Sequence, residues 1–217
     1  MKYLYILLLG VFLISCSSVP KEYLTNNDIC YYDDPIFKIT TEEMVFNSAK
    51  YDSILSIKGV VFIEKGNYTI EIQNDLIGKT DNKTSLTKWI NYYPNGKISN
   101  IKFFLRNSSS TGIEKETSYD QKGNITEVIN YEKGYSICWA EAIEIVKKIA
   151  KKEIQKYQVT GFNLSRVDLN EFPNEKPKWA VSLVGNEEYE QKDTKVYWID
   201  GITGKFLRTT KIITTFD

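Results

Sequence analysis

Asn91-Tyr92-Tyr93-Pro94-Asn95-Gly96-Lys97-Ile98 is followed 27 residues later by Ser118-Tyr119-Asp120-Gln121-Lys122-Gly123-Asn124-Ile125. Each stretch carries an aromatic residue to a turn closed by glycine, with an apolar residue leading away. Tyr92 matches Tyr119, Gly96 matches Gly123, Ile98 matches Ile125, Ile101 matches Val128 and Phe104 matches Tyr131. Glycine at that place supplies the positive φ that a tight hairpin turn needs. The spacing predicts two successive hairpins and makes the middle of the chain an antiparallel β-meander.

Toward the N-terminus the same period of two continues. Tyr68-Thr69-Ile70-Glu71-Ile72-Gln73 places Tyr68, Ile70 and Ile72 on one face and polar residues on the other. Glu64-Lys65-Gly66-Asn67 separates it from the apolar run Ile57 to Ile63. Asp75 to Ser85 holds Gly78 and several charges and reads as a loop. Thr40-Thr41-Glu42-Glu43 puts a hydroxyl before two acids, which predicts a short helix to about Ala49.

Toward the C-terminus the period changes. Trp139, Ala142, Ile143, Val146, Ile149, Ala150 and Ile154 fall on one stripe of a single helix predicted over Cys138 to Tyr157. Glu141 and Glu144 lie early, and Lys147, Lys148, Lys151 and Lys152 lie late, as the helix dipole favours. The lysines read as a solvated face, with contact to anionic lipid or a partner as the alternative. After Gly161, strands are expected around Phe162 to Leu169, Trp179 to Leu183, Val196 to Ile199 and Phe206 to Ile213. Asp200-Gly201-Ile202-Thr203-Gly204-Lys205 is a turn in which aspartate caps and the glycines admit unusual backbone angles. Asn186 to Asp193, rich in acids, reads as a solvated loop. The expected fold class is α+β: an N-terminal antiparallel β-meander, then one long amphipathic helix packed on a C-terminal antiparallel sheet.

Two resemblances attach to these stretches. The paired tyrosine and glycine turns are similar to the MORN-like hairpin repeats of bacterial envelope and antitoxin-like proteins. The helix, Trp179-Ala180-Val181-Ser182-Leu183 and Val196 to Leu207 together resemble the PepSY-type domain, with its cystatin-like helix on a sheet. That second resemblance implies peptidase binding or inhibition, or sensing without catalysis, and supplies no catalytic residues. The long acidic insertion from Asn186 to Asp193 departs from its pattern.

The first residues set an address. Lys2 precedes Leu4 to Ile14, an uncharged run broken only by Gly10. As a helix it spans roughly 16 Å, about half a hydrocarbon core, which suits a signal peptide and not a membrane span. Leu13-Ile14-Ser15-Cys16 resembles the bacterial lipobox, which implies cleavage before Cys16 and diacylation of that residue. An acylated terminus with two or more chains anchors stably. The expected organisation is a leader over 1–15, a tether over 16–36, a hairpin region over 37–135 and the helix with its sheet over 136–217. The expected location is the bacterial cell envelope, as a membrane-anchored lipoprotein of the outer membrane or one facing the periplasm.

With Cys16 assigned to lipid, Cys30 and Cys138 remain as a possible disulfide in an oxidising compartment. Composition narrows the chemistry further. The chain has no histidine, which removes Ser-His-Asp and Cys-His catalysis and His-ligated metal sites. Lys plus Arg equals Asp plus Glu at 28 each, so no basic excess drives nucleic-acid binding. Glu187, Glu188, Glu190 and Asp193 could ligate calcium through oxygen, but a solvated loop is the plainer reading. No catalytic residue, cofactor or metal site is assigned. The candidate binding surface is Trp179, Trp198 and Tyr119, next to edge strands open to strand addition. The functional expectation is a non-enzymatic, membrane-anchored lipoprotein that binds a protein partner. The alternatives are an immunity or antitoxin-like lipoprotein and a peptidase inhibitor.

Overall fold

Seven strands form one antiparallel sheet in simple chain order: β1 (Val61–Lys65), β2 (Tyr68–Ile72), β3 (Leu76–Asp81), β4 (Leu86–Tyr92), β5 (Ile98–Leu105), β6 (Ile113–Tyr119) and β7 (Ile125–Asn130). A second antiparallel sheet has the order β11-β10-β9-β8, from β8 (Gly161–Arg166), β9 (Lys178–Val184), β10 (Lys195–Asp200) and β11 (Phe206–Lys211). This computed structural model describes residues 34–108, 111–192 and 194–212. Among the described residues, four short α-helices accompany the sheets: α1 (Asp52–Lys58), α2 (Trp139–Ile149), α3 (Lys151–Lys156) and α4 (Glu187–Lys192).

The two quoted turns join β4 to β5 and β6 to β7. Gly96 and Gly123 both have positive φ, at 77° and 94°. Tyr92 and Tyr119 are both buried, and Tyr93 Oη donates to the Tyr119 carbonyl at 2.7 Å, tying the first turn to the second hairpin.

The expected α+β class is corrected: the molecule is mostly β. A seven-stranded sheet and a four-stranded sheet replace the meander followed by one long helix. Two local facts account for the difference. The stretch read as a loop, Asp75 to Ser85, supplies β3, which pairs with both β2 and β4. Gly78 disguises that strand, yet it suits the sheet, because a Cβ there would lie 3.0 Å from Trp89 Nε1 and press on the indole. The expected single helix is broken at Ala150, whose φ of −92° and ψ of 15° leave the helical range. Lys147, Lys148, Lys151 and Lys152 stack like charges three and four residues apart there, at about 0.2–0.5 kcal/mol per pair against continuation.

The segment before β1 covers one face of the large sheet. Its expected helix is replaced by a 3₁₀ turn, Thr41–Met44, closed by a capping box between Thr40 and Glu43, and a second 3₁₀ turn, Ser48–Lys50. Phe46 N–H then donates to the Gly96 carbonyl at 2.8 Å and holds the segment extended. Beneath it Lys88, fully buried, meets Glu43 at 2.6 Å and donates to the Lys38 carbonyl at 2.9 Å. Burial lowers the pKa of that ammonium, and Glu43 opposes the shift.

One continuous apolar core runs from Ile36, Leu86, Ile90 and Phe103 through Trp139, Ala142 and Val146 to Trp179, Val181 and Ile199. The sheets are also joined by polar contacts. Leu164 N–H donates to Ser108 Oγ at 2.5 Å, and the Arg166 guanidinium lies 4.7 Å from the Tyr131 ring centre while pairing with Asp168 at 3.1 Å. Gly112 permits this junction, since a Cβ there would sit 2.0 Å from the Tyr131 ring.

Candidate functional site

The sequence-derived surface residues separate into core and periphery. Trp179 is fully buried in β9, with Nε1 donating to the Ile137 carbonyl at 2.7 Å and Tyr135 packed 4.8 Å away. Tyr119 is buried in β6, an interior strand. Neither belongs to a binding surface, and neither strand is an edge. Trp198 alone is partly exposed, on the outer face of the small sheet, where it donates to Thr210 Oγ1 at 3.0 Å beside Arg208. Large aromatic residues in a period-two strand satisfy core and surface equally well, and only the packing of the helix decides which face closes.

Cys138 is disulfide-bonded. Cys16 and Cys30, the two other cysteines, lie outside the described residues, as do the leader and most of the tether. The turn after β10 holds its aspartate as expected: Asp200 Oδ1 accepts from Thr203 N–H at 2.8 Å and Ile202 N–H at 3.0 Å, which lowers its pKa. Gly204 has φ of 69°, but Gly201 serves a different need. A Cβ on Gly201 would lie 2.6 Å from the Tyr135 ring, so its smallness makes room for packing. The acidic insertion is α4, not a loop, because Tyr189 is fully buried and packs at a tilt against Tyr157, ring centres 5.1 Å apart.

The surface that sequence reading missed is the second face of the large sheet. The cross-strand register aligns Phe62, Glu71, Gly78, Trp89 and Lys102 in one row and Glu64, Thr69, Thr80, Thr87 and Phe104 in the next. These rows line a groove of about 550 Å³ with Arg106 at its end. Its floor is Thr80, Thr87 and Phe104, and Thr80 and Thr87 share a hydrogen bond of 2.9 Å. Trp89 stands edge-on to Phe104, ring centres 4.6 Å apart, and leans over Gly78. Among the described residues, its indole N–H makes no hydrogen bond. Phe62 is 62% exposed on the adjoining edge strand. The signal lay in the alternation: Trp89 and Phe104 share the phase of Thr87, Asn91, Asn100 and Lys102, and the opposite phase is apolar but for the buried Lys88 and for Ser99.

A second concavity follows α2 and α3. Two hollows of about 250 and 480 Å³ share Lys147, Thr160 and Phe162. Leu105, Trp139 and Ile143 form the floor of the first, and Ile154 and Val159 that of the second. Among the described residues, no three His, Cys, Asp or Glu side chains gather as a metal site. No helix of the described residues is long and apolar enough to cross a membrane.

No family model, no curated protein and no solved structure matches this chain.

Proposed function

We propose that this chain is a cell-envelope lipoprotein, anchored through lipidated Cys16, that acts as a non-enzymatic binding module for a protein partner. The observation that carries the reading is the open face of the large sheet. Interfaces concentrate their energy in aromatic and arginine anchors set among polar groups. Phe62, Trp89 and Arg106 are such anchors, and Glu64, Glu71 and the threonines supply acceptors around them. Trp89 offers a donor that nothing in the described fold uses. The lipobox and the tether support placement at a membrane surface, and the missing histidine supports binding over catalysis. A thioether on Cys16 would consume its sulfur, which leaves Cys30 as the partner of Cys138.

Affinity capture from intact envelopes tests this reading. The wild-type chain should enrich one protein over a Cys16→Ala control, and Trp89→Ala with a native circular dichroism spectrum should lose it by tenfold or more. Equal capture by wild type and Trp89→Ala would remove the open face from the interface. No enrichment over the Cys16→Ala control would remove the partner altogether.

A further inference from the structure

The groove along α2 and α3 has a chemistry of its own. Lys83, Lys147, Lys148 and Lys151 rim it, all exposed, and Glu144 is its one acid. Lys147 pairs with Glu144 at 2.5 Å and lies 5.5 Å from the Phe162 ring centre. Among the described residues, Lys83, Lys148 and Lys151 form no ion pair. Two of these, Lys148 and Lys151, stand over an apolar floor of Phe162, Ile154 and Val159, and Lys83 lines the adjoining hollow with Leu105 and Trp139, in a chain of zero net charge. Lysine stems lie along apolar surface while their heads stay in water, which suits a boundary between headgroups and hydrocarbon.

We propose that this groove receives the headgroup and glycerol region of an anionic phospholipid in the membrane that holds the tether. The phosphate would meet Lys148 and Lys151, the glycerol end would rest on Phe162, and Lys83 would flank the lipid from the adjoining hollow. The proposal rests on the anchoring reading above for its choice of membrane lipid. Geometry favours the same occupant. Cys138 directly precedes Trp139 and Ala140, which line the groove. A Cys30 pairing would fix the tether there and leave at most ~50 Å of extended chain back to Cys16.

The test uses the full chain carrying Cys16→Ser, so no acyl group contributes. It is mixed with phosphatidylcholine vesicles, which set the background from the leader, and with vesicles that also contain phosphatidylglycerol. Lysines are acetylated with an activated ester and read by mass spectrometry. The proposal predicts binding that depends on phosphatidylglycerol and fades at high salt. Labelling of Lys83, Lys148 and Lys151 should fall severalfold, with Lys58 and Lys122 unchanged. Lys148→Gln with Lys151→Gln should weaken partition on the order of tenfold or more. Equal partition into both vesicles with unchanged labelling would overturn it. Protection by polyglutamate but not by phosphatidylglycerol would also overturn it, in favour of an acidic polypeptide. Absence of lipid on the native Cys16 would leave this assay unaffected, so the two readings fail separately.

Discussion

Lys88 and Glu43 show how single residues hold the covering segment. The ammonium is fully buried and has two acceptors, the Glu43 carboxylate and the Lys38 carbonyl. Removing one member of a buried pair strands the other, at about 3–5 kcal/mol, whereas replacing both with apolar residues is often neutral. Glu43→Ala should therefore cost about 3 kcal/mol or more in urea unfolding, and Lys88→Met with Glu43→Leu should recover most of it. A Glu43→Ala loss below about 1 kcal/mol would mean that water reaches Lys88. Gly112 is a sharper steric case. An alanine Cβ at this position would come within 2.0 Å of Tyr131, so Gly112→Ala must displace the ring that carries Arg166. A cost of about 1–3 kcal/mol is expected in the same assay, and Tyr131→Ala should remove the further penalty of Gly112→Ala.

At the scale of elements, turns were more legible than strands. Gly96, Gly123 and Asp200 each act through their own backbone geometry, and that geometry is local, so the residues declare it. β3 was hidden because Gly78, Lys79 and Asp81 are poor strand formers whose reasons lie on neighbouring strands. The break at Ala150 was hidden for the opposite reason: the apolar stripe continues through it while the lysine charges do not favour it. The Asp200 turn also makes a pH prediction. Hydrogen bonds from the 202–203 backbone and the Thr203 hydroxyl lower the carboxyl pKa below its ordinary 3.8. A depressed carboxylate stabilises above its unfolded pKa and loses that contribution as pH falls through the folded value. Amide protection in the 200–205 turn should therefore fall in acid below pH 3.8, and Asp200→Ala should abolish that pH dependence. Amide exchange at Lys205 and Gly204, whose N–H groups bond within the turn, reports it.

For the whole molecule, tyrosines link the sheets, and their titration is a global probe. Burial raises the phenols of Tyr92, Tyr131, Tyr135 and Tyr197, with Glu116 adding to the effect at Tyr131 and Glu153 at Tyr197. Tyr135 moves from 10.0 to about 12. Phenols raised in the folded state stabilise it fully below pH 10, and the contribution is lost as pH climbs through the folded values. Absorbance at about 295 nm should show exposed tyrosines ionising first and these four only with unfolding, above pH 10. A single smooth titration of all tyrosines near pH 10 would contradict the packing described. The core was legible where one face of a strand is apolar, as at Ile70 and Ile72. The open, aromatic face proposed for binding was not, because Trp179 and Trp89 look alike in sequence and differ only in what lies above them.

The proposed lipid anchor on Cys16 underlies the functional reading, and the N-terminal peptide of the chain isolated from membranes tests it most directly. Tryptic digestion and mass spectrometry should yield a peptide from Cys16 to Lys21 that carries a diacylglyceryl group on Cys16. A peptide that starts at Ser17 or beyond, or one that retains Ser15, without lipid, would contradict the account.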